Sequence, residues 1–155
     1  MLIFNPRGMT SNNVGKGIAE FVGTFFLTLT IFIAAVNGIA GVFAPIAIGL
    51  TLMVMIYALG HVSGAHFNPA VTIGLFLKGD CSQDELPTYL GAQILAGVLA
   101  FFVGSELVLN GADAAEITAA TFDSTIAVLS AEALWTFALM FVIINVATEQ
   151  AGNQF

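Results

Sequence analysis

The sequence predicts an all-α membrane protein, a helical bundle with an inverted internal repeat in which four transmembrane helices accompany one re-entrant half-helix. Three observations carry this reading. Hydrophobic residues make up 58% and charged residues 8% of the 155 positions, with a mean hydropathy of +0.97, whereas a soluble domain is roughly one quarter charged. Four apolar stretches, 18–37, 42–60, 87–109 and 126–147, approach the roughly 20 helical residues that cross a hydrocarbon core of about 30 Å. Between the second and third lies HVSGAHFNPAVTIGLFLKGD (61–80), where an Asn-Pro pair interrupts otherwise apolar sequence.

Residues 1–16, MLIFNPRGMTSNNVGK, are polar and contain Gly and Asn, and read as a cytoplasmic tail. The first apolar stretch is too long for a signal-peptide core and is followed by no small-residue cleavage pattern, so it reads as a span. NGIAG (37–41) then makes a tight outer turn into the second span. The third span follows SQDELP, in which Ser82 and Glu85 have capping-box spacing and Pro87 falls in the first turns. Along it, Ala92, Ala96, Ala100 and Gly104 recur every four positions, a stripe that allows close helix packing in lipid. The segment 110–125, with Asp113, Glu116 and Asp123, reads as an extracellular loop before the fourth span.

Placement of the cations fixes the expected orientation. Arg7, Lys16 and Lys78 are the three basic residues, and four crossings with a cytoplasmic N-terminus put all three on the inner side, as the positive-inside rule requires. Both termini are then cytoplasmic and the protein is an integral, multi-pass membrane protein. No basic patch exists for nucleic acid. The single Cys81 falls in the inner loop and excludes a disulfide framework. There is no nucleophile–base pair and no phosphate loop, so no enzyme and no cofactor is expected.

The half-helix follows from Asn68 and Pro69. Asn is a good N-cap and Pro a good first helical residue, so a helix should start there and run through AVTIGLFL to about Leu77. Nine residues at 1.5 Å per residue give about 13 Å, less than half the membrane. It cannot span, so HVSGAH must descend to mid-bilayer and the short helix must return the chain to Lys78. Irregular backbone at that depth needs protein cover or a water-filled path. The carbonyls of 64–67 would seek donors there, while the helix N-terminus and the Asn68 amide favour the oxygen of a neutral solute over a cation.

An internal repeat supplies the symmetry. AEFVGTFFLTLTIFIAA (19–35) matches AEALWTFALMFVIINVA (131–147) at a spacing of 112, with seven identities in 17 that include Glu20 with Glu132. The first span runs inside to outside and the fourth outside to inside, so the repeats are inverted, an arrangement that places a functional site near the midplane. An ionisable residue inside a span is by default a functional hypothesis such as a proton relay. The symmetric placement of Glu20 and Glu132 argues for a structural role instead. His61 and His66, five apart with no third ligand nearby, do not make a metal site.

GHVSGAHFNPAVTIG resembles the first signature loop of the aquaporin/glycerol-facilitator, or major intrinsic protein, family, with its Asn-Pro-Ala box. The AE..GT opening of the first span, the AQ..AG of the third (Ala92, Gln93, Ala96, Gly97) and the AE of the fourth are similar in kind and order. The resemblance covers about 17–155. It implies an aquaporin-like fold of six helices and two half-helices whose boxes meet at mid-membrane, assembled as homotetramers with one pore per subunit. Residues 17–109 then form the first repeat, with the re-entrant loop at 61–78, and 126–155 begin a second, incomplete one. The second box, expected near residue 180, and the filter residues of the fifth helix and second loop, including an arginine, lie beyond Phe155, which leaves about two-thirds of a usual chain.

By that resemblance Asn68, Pro69 and Ala70 form the pore box, and Gly64, Ala65, His66 and Phe67 supply a carbonyl ladder. Ile48, 20 residues before Asn68, takes the filter position of the second helix, where water-selective members usually carry an aromatic. Glu20, Glu132, His61 and Gln93 anchor the loops. The expected function is passive flow of water through a channel, as a truncated or split subunit that forms a homotetramer if complete or pairs with a complementary chain supplying the missing helices. A glycerol or small-solute facilitator and a non-conducting fragment are the alternatives, and a carboxylate-driven proton transporter would need Glu20 and Glu132 to face the lumen.

Overall fold

The computed structural model describes residues 13–36, 38–108 and 124–148. Five α-helices make up the chain there: α1 (Asn13–Ile31), α2 (Ala44–Ser63), the short α3 (Pro69–Lys78), α4 (Glu85–Phe102) and α5 (Thr125–Ile143). Wider π turns extend three of them, at Phe32–Val36, Val103–Val108 and Ile144–Thr148. No strand occurs among the described residues, and α1, α2, α4 and α5 with their extensions are long and apolar enough to cross a membrane. This is the all-α membrane bundle that the composition predicts. Arg7, residues 110–123 of the expected loop with Asp113, Glu116 and Asp123, Asn37 and the residues after Thr148 lie outside the described residues, while Ser124 caps α5 and Thr125 opens it.

Helix α1 is the centre of the bundle, packed along α4 on one side and α2 on the other, while α3 rests on α4 and α5 meets the rest chiefly at α3. Small residues set the α1–α4 distance. Ala96 and Ala100 are completely buried. A Cβ on Gly104 would stand 2.4 Å from the Phe32 ring, and one on Gly17 would stand 2.8 Å from Thr88 Cγ2. The stripe on the third span thus lets two backbones approach where larger side chains would hold them apart.

Two helix boundaries differ from the sequence expectation, each for a polar reason. α1 begins at Asn13 rather than 18, because its first turn is docked on the start of α4: Lys16 forms an ion pair with Glu85, and Asn13 Nδ2 donates to Asp84 O at 3.4 Å. The end of the expected tail is therefore helical. α2 runs to Ser63 rather than 60, closed by Gly64 in the left-handed conformation (φ 87°) with its N–H bonded to Gly60 O. His61 consequently sits in the last turn of α2 and the irregular loop shrinks to 64–67. The capping box forms as the spacing predicts, Ser82 N–H donating to Glu85 Oε2 at 2.9 Å and Glu85 N–H to Ser82 Oγ at 3.3 Å.

Candidate functional site: a clamped loop above a half-helix

The short helix starts where the Asn-Pro pair requires. Asn68 is extended (φ −155°, ψ 128°), its Oδ1 accepts from Ala70 N–H at 2.8 Å, and Pro69 follows as the first helical residue. The other end stops at Gly79 (φ 96°), whose N–H reaches Leu75 O at 3.0 Å, with Asp80 N–H on the same carbonyl at 2.9 Å. Lys78 lies in the last turn, where a cation complements the helix dipole, and it pairs with Asp80 at 2.7 Å.

The loop before it is held by one carboxylate. Glu20 is completely buried on α1. Its Oε1 accepts from Ser63 Oγ at 2.6 Å and from His66 N–H at 2.9 Å, and its Oε2 accepts from Phe67 N–H at 2.7 Å and from Gln93 Nε2 at 2.8 Å. Four converging donors suit an acceptor-only group with two oxygens. Ser63 Oγ also accepts from Ala65 N–H at 3.1 Å. Every N–H from Gly64 to Phe67 is thus bound by α2 or by Glu20, and among the described residues no backbone N–H donates to the carbonyls of 64–67. Ala65 (φ 55°) and Phe67 (φ 48°) take the left-handed backbone that this one-sided arrangement demands, a strain the Glu20 clamp must offset.

A second tier fixes the side chains. Gln93 Nε2 also donates to Thr72 Oγ1 at 2.8 Å, and Thr72 Oγ1 lies 3.1 Å from both His66 Nδ1 and Asn68 O. A 3.3 Å approach of Gln93 Oε1 to the same hydroxyl is the weaker contact, since Thr72 has one proton to give and its carbonyl and imidazole neighbours are nearer. Tyr89 OH donates to Ser63 O at 2.6 Å, and its ring meets the edge of the His66 ring at 4.9 Å between centroids. Phe67 turns towards α1, where it lies over Gly23: a Cβ on Gly23 would stand 2.1 Å from the ring.

Two cavities flank the loop. One, of about 220 Å³, has Gly64, Ala65, His66 and Asn68 on one wall and aliphatic side chains opposite, among them Leu52 and Ile56 of α2 and Leu139 and Val142 of α5. The other, of about 390 Å³, opens at the end of the bundle that carries Lys16, Asp80, Glu85 and Tyr89.

The major intrinsic protein family model matches residues 8–154. The chain belongs to the major intrinsic protein family. It is 38% identical to an Arabidopsis thaliana protein named aquaporin NIP1-1 over 95% of this chain and 57% of that one. It is also 41% identical to a rice aquaporin NIP1-3 (86% and 49%) and 46% identical to aquaporin Z of Photorhabdus laumondii (55% and 40%). The chain spans about half the length of the curated relatives it matches.

Within this major intrinsic protein chain the structure brings together Glu20, Gln93 and His66 with the loop, and Gly64, Ala65, His66 and Asn68 with the cavity. Phe67, Pro69 and Ala70 do not line either cavity. Ile48, half-buried, lies one and two turns along α2 from Leu52 and Ile56, on the face that lines the cavity. Glu132 is exposed on α5 and His61 is exposed at the end of α2, both apart from the Glu20 network. Ser63, Thr72 and Tyr89 were not singled out from sequence. Their positions, one turn after Asn68 for Thr72 and one turn before Gln93 for Tyr89, are the signal that marks them.

Proposed function

We propose that this chain is the pore-forming first half of a passive channel for water and other small uncharged solutes. The observation that carries the reading is the one-sided loop. With its N–H groups consumed by Glu20 and Ser63, the carbonyls of 64–66 and the Asn68 end of α3 are what the backbone can offer to the aliphatic cavity. Acceptors in series beside a donor at a positive helix end fit a neutral solute that gives and takes hydrogen bonds, and fit protons and metal cations poorly. The names of the relatives point the same way.

In this reading Glu20 is an anchor and not a proton relay, because four donors occupy it and it lines neither cavity. Glu132, its repeat partner, would hold the corresponding loop of a second half. That half, supplied by the same polypeptide or by a complementary chain, completes the pore, and the complete subunit forms a homotetramer with cytoplasmic termini. Ile48, aliphatic at the filter position, admits glycerol-sized solutes beside water. The test joins 1–155 to the second half of a curated relative and measures osmotic swelling of proteoliposomes in water and glycerol gradients, with cation conductance alongside. Solute flux without cation current supports the reading. A protein that is folded and inserted but passes neither solute would end it.

A further inference from the structure

The two cavities share three residues: Gly64, His66 and Ile143. These stand where the polar cavity at the Lys16 end adjoins the aliphatic one beside Asn68, so any passage between the two has its neck here. Two of the three are not free to set its width. Gly64 has no side chain and a left-handed backbone, and a Cβ there would already stand 3.5 Å from His66 Nε2. The His66 ring is held by Thr72 at Nδ1 and by the Tyr89 ring, on a backbone that Glu20 fixes. Ile143 is the third. It comes from a different element, and it packs against the small core of Val71, Leu75 and Cys81 beneath α3, so its branched side chain has a defined seat facing the loop.

Directly after it α5 widens into the π turn Ile144–Thr148, a local form that recurs at functional positions of helices. We infer that Ile143 is a solute-size determinant, an inner constriction distinct from the filter position at Ile48, with the rigid loop as one jaw and the side chain at 143 as the other. This rests on the channel reading above. Ile48 is not itself in either lining but lies one turn from Leu52 on the same face of α2, so the two positions would act in series: a solute must pass each, and enlarging one alone changes selectivity only for solutes that the other admits.

The test separates the neck from the channel. In the joined channel reconstituted into liposomes, with Cys81→Ser as background, Ile143→Cys should react with a small charged thiol reagent, while Phe141→Cys, on an exposed face that lines neither cavity, should not. In the joined channel, Ile143→Ala should raise the glycerol-to-water flux ratio about threefold or more, Ile143→Phe should lower it by a similar factor, and Ile143→Val should fall between Ala and wild type, because pore width acts most on the larger solute. Phe141→Ala should leave the ratio unchanged. An unreactive thiol at 143 in a conducting channel, or a ratio that ignores the side-chain size there, overturns the inference. If the parent channel conducts nothing, the channel reading falls and the filter role with it, while the labelling still reports whether residue 143 lies on a wet path.

Discussion

A single carboxylate decides the shape of the loop, and this is a matter of counting donors. Three peptide N–H groups at 65–67 have no helical acceptor, and a buried donor left unpaired costs about 1–3 kcal/mol. Glu20 takes two of them directly and steadies Ser63, which takes the third. Glu20→Gln replaces one oxygen by an NH2 group that faces donors, so at least one of those contacts is lost and its partner stays buried. The expected cost is about 2–3 kcal/mol. Gly23→Val attacks the same loop from its other side, since even a Cβ at 23 would lie 2.1 Å from the Phe67 ring. Both variants should lower the midpoint of thermal unfolding in detergent and lose solute flux in the joined channel without creating pH-driven proton movement. A proton flux present in wild type and abolished by Glu20→Gln would show that the carboxylate carries protons and not the loop.

At the scale of elements, α3 is the part whose dipole faces the aliphatic cavity, through Asn68. Its N-terminus carries partial positive charge, and there Asn68 accepts one N–H through Oδ1, a cap that does not use its amide hydrogens, which on the proposed reading meet the solute. Asn68→Asp preserves the cap and removes both the donors and the neutrality. The expected outcome in the joined channel is reduced water flux together with measurable cation current in planar bilayers, and unchanged values of both would remove Asn68 from the pore. The start of this helix was legible from two letters, Asn-Pro, because capping chemistry and a proline ring are local properties. So were the four spans, which follow from apolar length, and the buried Glu20, which the repeat singled out. The far end of α2 was not, because helix continuation through His61–Ser63 depends on Gly64 closing it and on Ser63 finding Glu20, 43 residues away in sequence. The start of α1 was missed for a related reason: polar sequence at 13–17 reads as tail until Lys16 meets Glu85 across the bundle. Thr72, Tyr89 and Ile143 carry no motif, and their roles come from which helix faces which.

For the whole molecule the decisive quantity is uncovered surface. α5 has no buried residue, and Trp135, Phe137 and Phe141 on it are all more than half exposed, as is Val42 before α2. Apolar faces of this kind are stable against lipid, but Glu132 and the carbonyls of 64–67 are not, since an unsatisfied polar group in hydrocarbon costs on the order of several kcal/mol. An antiparallel second copy could lend a matching loop. It would carry Arg7, Lys16 and Lys78 to the opposite side of the membrane, against the bias that orients inserted chains. A complementary half that brings its own loop meets the same need with no such conflict. Residues 1–155 alone should therefore insert, expose Lys16 and Lys78 to one side only, and add no water permeability above that of empty liposomes. Co-reconstitution with a separately made second half should restore flux that tracks the fraction of paired chains. The check is stopped-flow light scattering on three preparations, empty, 1–155 alone and the pair, with protease access reporting orientation. Fast, cation-excluding water flow from 1–155 alone would mean that the chain closes a pore on itself, and that the need for a second loop was misjudged.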